Sequence, residues 1–218
     1  MLSYTQQLFE QNRNAEFAKK MKQYMRNQYD FYGIKAPLRK QLLKEIEVQE
    51  GRLEGEELIA FVQAAWDNPH REFQHLAMDR MDKVKRKLDL TFLPYMEQWI
   101  LQKSWWDTVD WLAVNGVGSI LSRHPEVIPE YSSQWMASDN IWLQRTAILF
   151  QLKYREKTNM DLLFSNILQI ADSKEFFLQK AAGWALREQS KRVPELIAAF
   201  IDSHDLKPLT VREGRKYL

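Results

Sequence analysis

The sequence predicts an all-α fold, an α-solenoid of antiparallel helix pairs that repeats about every 35 residues. The first observation behind this is composition. Only 7 Gly and 7 Pro among 218 residues leave little turn material for an all-β fold, while helix-forming Leu, Ala, Gln, Glu, Lys and Arg are plentiful. The second is periodicity. Leu58, Phe61, Val62 and Ala65 follow helical spacing, as do Leu93, Met96 and Ile100, and again Leu163, Ile167 and Ile170. The third is a shared phase. Leu58, Leu93, Ile128 and Leu163 are all apolar at steps of about 35, as are Ala65, Ile100, Trp135 and Ile170, and also Ala77, Leu112, Ala147 and Ala182. A fixed period of this size means stacked units rather than a mixed globule.

Taken in order, the chain opens with helices expected near 5–29 and 37–48, which keep the period poorly, as capping units at the end of a stack do. Paired helices then follow. The first of each pair lies near 54–66, 90–102, 126–137 and 160–171, the second near 70–87, 105–122, 140–155 and 175–190. Breakers separate them: Asp67-Asn68-Pro69, His124-Pro125, Ser138-Asp139-Asn140 and Val193-Pro194. The tail 209–218 reads as a last short helix. No linker or low-complexity tract interrupts the chain, so one domain over 1–218 is expected, with capping helices about 1–50 and repeats about 51–218. Units of this kind resemble HEAT repeats, with a concave surface built from the second helices.

Composition also narrows the function. The absence of Cys excludes disulfides, thiolate zinc sites and cysteine nucleophiles, and suits a reducing cytoplasm. The opening MLSYTQQLFEQNRN lacks an apolar stretch behind a basic leader, so no signal peptide is expected, and no apolar run is long enough to span a membrane. The four His are scattered without metal-ligand spacing, so no metal site is expected, and His75 reads as a polar contact. A net charge of +2 leaves room for a basic face, because binding depends on where charge sits. From Leu152 to Leu218 there are twelve Lys/Arg against nine Asp/Glu. The run Lys83-Val84-Lys85-Arg86-Lys87 reads as the solvated end of a helix.

One polar row shares the repeat: Lys40, His75, Asp110, Arg145, Lys180 and Arg215. A single acid sits among bases. Asp110 belongs to Ser104-Trp105-Trp106-Asp107-Thr108-Val109-Asp110, where Ser104 and Asp107 match a capping box, a sufficient structural role for Asp107. Trp106 precedes Asp110 by one turn and shares its face. An indole beside a carboxylate cradles a cation, the ring contributing roughly 0.5–2 kcal/mol and the carboxylate a Coulomb term that grows as water leaves. Glycosidic cleavage generates such a cation on the sugar, and one fixed carboxylate can stabilise it and orient water. No second acid is placed to assist a leaving group. The substrate implied is one already activated, such as a purine carrying positive charge from N3 or N7 alkylation.

The segments WWDTVDWLA (105–113), WLQRTAILFQL (142–152), FFLQKAAGWALRE (176–188), LTVREGRKYL (209–218) and FYGIKAPLRK (31–40) resemble the AlkD-type DNA alkylation repair enzymes, HEAT-like DNA glycosylases, over nearly the whole chain. The resemblance implies excision of 3-methyladenine- and 7-methylguanine-type lesions from double-stranded DNA, without metal, organic cofactor or lyase chemistry, and without the extrusion pocket that most glycosylases use. It places the family's active-site residues on Asp110, Trp106, Arg145 and Trp184. Trp106 and Trp184 would bracket the deoxyribose. Arg145 would grip a backbone phosphate or form a buried salt bridge to Asp110 or Asp107. Lys180, Arg187, Lys191, Arg212, Arg215 and Lys216 are candidates for a DNA track, although a solvated helix face accounts for any one of them equally well. A monomer in the cytoplasm is expected. Core packing is the competing role for Trp106 and Trp184, and the expected one for Trp66, Trp99, Trp135 and Trp142; Trp111 is left open. Two other functional readings are a HEAT-like module that binds unusual DNA structures and a protein-interaction scaffold, each without catalysis.

Overall fold

A computed structural model describes residues 2–218. Among these no strand forms, and a single isolated bridge pairs Asp30 with His70. The architecture is the all-α, paired-helix one that the periodicity predicts. None of the helices is long and apolar enough to cross a membrane. The chain divides into two compact units, Met1–Lys103 and Ser104–Leu218, each described in turn.

The first unit holds α1 (Ser3–Gln11), α2 (Ala15–Tyr24), α3 (Ala36–Glu50), α4 (Gly55–Asp67), α5 (Arg71–Val84) and α6 (Leu93–Leu101). The single helix expected near 5–29 is two. Asn14 caps α2 by accepting the Phe17 N–H at 2.9 Å, and the Asn12 side chain donates back to Leu8. Asparagine satisfies helix ends well, so Asn-Arg-Asn breaks the segment despite its helical composition. The core is formed by the predicted apolar phase: Leu58, Ala65, Ala77, Leu93 and Ile100 have essentially no exposed surface. Trp66 and Trp99 lie fully inside, and the Trp66 indole donates to the Trp99 carbonyl at 2.9 Å. Burying an indole contributes roughly 4–6 kcal/mol before conformational entropy is deducted. The loop 31–34 is fixed by buried Glu72 on α5, which accepts the N–H groups of Tyr32, Gly33 and Ile34 at 3.1, 2.8 and 3.1 Å. The Lys83–Lys87 run is tied to acids, Lys83 to Glu47, Lys85 to Asp82 and Lys87 to Glu54, consistent with a structural end of α5.

The second unit begins with α7 (Trp106–Trp111), which runs through a π-helical stretch, Leu112–Val117, into α8 (Gly118–Leu121). There follow α9 (Ile128–Ala137), α10 (Ile141–Leu149), α11 (Met160–Gln169), α12 (Phe176–Ser190), α13 (Pro194–Ser203) and α14 (Pro208–Gly214). Helix α13 is absent from the sequence reading, which took Val193-Pro194 as a breaker. Pro194 instead occupies the first turn, where its missing N–H has no intrahelical partner to lose. Asn140 and Asn159 cap α10 and α11. Trp135 and Trp142 are buried as expected, and Trp111 is half-buried.

The π stretch comes directly after Asp110's helix. π segments concentrate at functional sites because they re-aim side chains within a helix. Gly118, just after it, lets the backbone of Phe150 approach: a Cβ there would lie 2.4 Å from the Phe150 carbonyl oxygen, closer than any real contact. The Tyr154 hydroxyl donates to the Gly118 carbonyl at 2.8 Å, and Lys153 donates to Asn115 at 2.6 Å, so the irregular turn is bonded on two sides.

Candidate functional site

Helix α10 packs against both α7 and α12, and α12 packs most extensively against α14. The second helices of successive pairs are therefore neighbours, and the residues spaced about 35 apart come into register. Asp110 on α7 and Arg145 on α10 meet directly. Arg145 Nε donates to Asp110 Oδ1 at 2.7 Å and Nη2 donates to Oδ2 at 2.9 Å, a bidentate pair. The remaining Nη1 donates to the Phe177 carbonyl at the start of α12. Arg145 is 4% exposed.

Without DNA, Arg145 adopts the salt-bridge arrangement of the two expected for it. Its guanidinium is turned inward and spent on Asp110 and Phe177. It forms a buried salt bridge with Asp110 in the absence of DNA. Both Asp110 oxygens are engaged by Arg145, and the side chain as a whole keeps 20% exposure.

The start of α7 differs from the capping-box expectation. The N-cap is Trp105, not Ser104, and Trp105 makes no side-chain cap bond. Its carbonyl accepts the N–H groups of Thr108 and Val109 at 3.2 and 3.0 Å, so the helix opens one residue later. The Trp105 ring fixes that extended entry. It lies edge-on to Phe177, with centroids 5.1 Å apart, and near Trp142 at 5.9 Å, while Trp142 and Phe177 are 4.9 Å apart. Three helix starts thus share one aromatic cluster adjoining the Asp110–Arg145 pair. Trp105 and Phe177 had no role in the sequence reading; the only signal for them was aromatic residues at the first turns of consecutive second helices.

Trp106 is half-buried, one turn before Asp110 on α7, and Trp184 is half-buried on α12. Lys180, Trp184, Arg187 and Lys191 lie four, three and four residues apart, one stripe of α12. Lys180 and Arg187 both reach Glu213 on α14, at 3.2 and 3.1 Å, and Lys216 joins them at 2.7 Å. Arg212 stands at 3.8 Å from the same carboxylate. Lys191 pairs with Glu188 at 2.6 Å and sits over the Tyr217 ring. Arg215 is elsewhere engaged, with Asp202. The structure therefore gathers Lys180, Arg187, Arg212 and Lys216 around one carboxylate that the sequence reading did not use, and it pairs Arg215 away from them. His75 is half-buried on α5 in the first unit, and Lys40 is exposed on α3.

Helix α14 reaches α12 this closely because Gly183 has no side chain. A Cβ there would lie 2.5 Å from the Glu213 Cβ and 3.0 Å from the Thr210 carbonyl. Gly183→Ala is expected to lower stability by about 1–3 kcal/mol through overpacking. Chemical denaturation checks this, and a variant as stable as wild type would contradict the close packing.

The electrostatics of the two carboxylates are opposite. Burial pushes the Asp110 carboxyl above the usual carboxylate range, the Arg145 hydrogen bond and charge pull it back, and Asp107 adds to the rise. The Lys216 hydrogen bond, aided by Lys180, holds Glu213 down to about 2 against the effect of burial. Among the described residues no group of three or more His, Cys, Asp or Glu could hold a metal ion.

The fold and site define a helical-repeat protein with a buried carboxylate–guanidinium pair beside a cation-rich face. The family model for "DNA alkylation repair enzyme" matches residues 5–218. A predicted DNA alkylation repair enzyme from Enterococcus faecalis has a similar structure, with 36% identity and a TM-score of 0.85 over 94% of this chain and 96% of that one. AlkD2 from Streptococcus mutans shares the fold at 16% identity, with a TM-score of 0.62 over 82% of this chain and 89% of that one. No curated protein matches the chain. The chain belongs to the DNA alkylation repair enzyme family.

Proposed function

We propose that this protein is a monofunctional DNA glycosylase acting as a monomer, which hydrolyses the N-glycosidic bond of N3- or N7-alkylated purines in duplex DNA. The observation that carries the reading is the Asp110–Arg145 pair. A carboxylate fixed bidentately by a buried guanidinium has one orientation, and this one keeps 20% side-chain exposure one turn after Trp106. A pre-oriented charge stabilises a developing cation without reorganising.

In the proposed reaction the C1′–N bond breaks and its electron pair leaves with the base, neutralising the base's positive charge. No general acid is required. Asp110 stabilises the sugar cation and orients a water, which adds to C1′ and passes its proton to bulk solvent, leaving an abasic sugar. Trp106 and Trp184 are assigned to the deoxyribose, and Arg145 holds Asp110 in place. Lys180, Arg187, Lys191, Arg212 and Lys216 contact phosphates. Family membership favours an enzyme over a scaffold or a pure DNA binder. The test is mass-spectrometric detection of free methylated base from methylated duplex DNA. Release above spontaneous depurination supports the reading; duplex binding without release favours the structure-binding alternative.

The titration of Asp110 makes a second prediction. The folded chain holds this proton more tightly than the unfolded one, so ionised Asp110 subtracts from stability as pH rises through its folded pKa. Catalysis needs the ionised form. Single-turnover base release should therefore fall on the acid side with a midpoint above about 4, the ordinary Asp value, while the protein stays folded. A rate unchanged down to about pH 4 would contradict the role.

A further inference from the structure

We propose that Glu213 is a positioning residue for DNA: it gathers Lys180, Arg187 and Lys216 beside Trp184 into a preformed seat for one backbone phosphate. The inference rests on the reading of this chain as a DNA-binding enzyme.

Glu213 is 4% exposed, yet it is the common partner of cations that are not buried. The side chains of Lys180, Arg187 and Lys216 are 36%, 25% and 46% exposed, so all three stay partly open to solvent while paired with Glu213. Lysine and arginine lose rotamer freedom when they bind. Here that freedom is surrendered in the free protein, so a phosphodiester meets donors already in place. The arrangement is also costly for any alternative purpose. Three or four cations around one anion leave an excess of positive charge, which a purely structural ion pair does not need. Gly183 marks the same design, because only a residue without Cβ lets Glu213 pass close enough to sit between Lys180 and Arg187. The stripe Lys180–Trp184–Arg187 puts the seat on the face of α12 that carries Trp184.

The two effects of removing the Glu213 charge have opposite signs. If the carboxylate merely masks the cations, Glu213→Gln frees them and duplex binding tightens, with a steeper salt dependence. If it positions them, binding weakens although the protein becomes more positive. The experiment is fluorescence anisotropy of a labelled undamaged duplex against salt, with wild type, Glu213→Gln, Lys216→Ala and Lys207→Ala. Lys207 pairs with the fully exposed Asp172 outside the cluster and serves as a charge-matched control.

The expected result is about tenfold weaker binding by Glu213→Gln, with the salt slope reduced by about one to two. Base release at saturating protein should be unchanged while half-saturation rises, a split that general unfolding does not produce. Should Glu213→Gln fail to fold, the comparison of Lys216→Ala with Lys207→Ala decides: the seat requires the larger loss from Lys216→Ala, and equal losses overturn it. Equal or tighter binding by folded Glu213→Gln overturns the seat alone. Absence of duplex binding by wild type overturns the DNA reading, and the seat with it.

Discussion

Asp110→Asn is expected to keep the fold and the affinity for duplex DNA while lowering base release by a factor of about 10²–10³. The reasoning starts from what the substitution preserves. Asparagine has nearly the shape of aspartate and still accepts a hydrogen bond from Arg145, so the bridge from α7 to α10 is weakened rather than removed. The Phe177 carbonyl continues to accept from the same guanidinium. What disappears is the negative charge proposed to stabilise the sugar cation. The charge is worth most in the transition state, where the sugar carries its positive charge, and little in the bound ground state. Release measured at saturating protein isolates that term, and anisotropy with undamaged duplex isolates binding. Wild-type release by a folded Asp110→Asn protein removes Asp110 from the chemistry.

Arg145→Ala is expected to lower stability by about 3–5 kcal/mol, and base release with it. Arg145 is 4% exposed and makes three hydrogen bonds that join α7, α10 and the start of α12. Its removal leaves a cavity and a carboxylate with lost neutralisation, and burial already disfavours that charge. The loss is therefore mostly the isolated anion, which makes a specific forecast for the double variant. Arg145→Ala with Asp110→Asn should be more stable than Arg145→Ala alone, since no unpaired charge remains. Chemical denaturation of the four proteins tests it. A double variant whose losses simply add would show that the pair is not coupled, and the account of Arg145 as the residue that orients Asp110 would fail.

How far the sequence reached is clearest from particular residues. The repeat phase is physical: Leu58, Leu93 and Leu163 are buried at equivalent points because each unit must bury its apolar stripe on its neighbour. The same register brings Asp110 to Arg145, which is why a spacing of 35 in the chain becomes 2.7 Å in space. Other features depend on choices that periodicity does not encode. Pro194 reads as a breaker and acts as a helix start. Asn14 splits a segment of helical composition. Arg145 has the sequence of a phosphate contact and the burial of a structural ion pair, and only the packing of α10 between α7 and α12 separates the two. Glu213 was hidden because an acid in a basic tail looks like ordinary surface charge. Its role arises from Gly183, thirty positions away, which lets two helices approach. The aromatic cluster of Trp105, Trp142 and Phe177 is likewise a product of three helix starts meeting, each unremarked in its own segment.

One carboxylate, with no partnering acid, is proposed to cleave a bond whose leaving group is already positively charged. The most direct measurement is single-turnover base release from two duplexes that differ only in the lesion, one carrying cationic 7-methylguanine and the other a neutral damaged purine. Release is expected from the cationic duplex alone, dependent on Asp110. Comparable release from the neutral purine would contradict it, because that leaving group needs a proton donor which the site is proposed to lack.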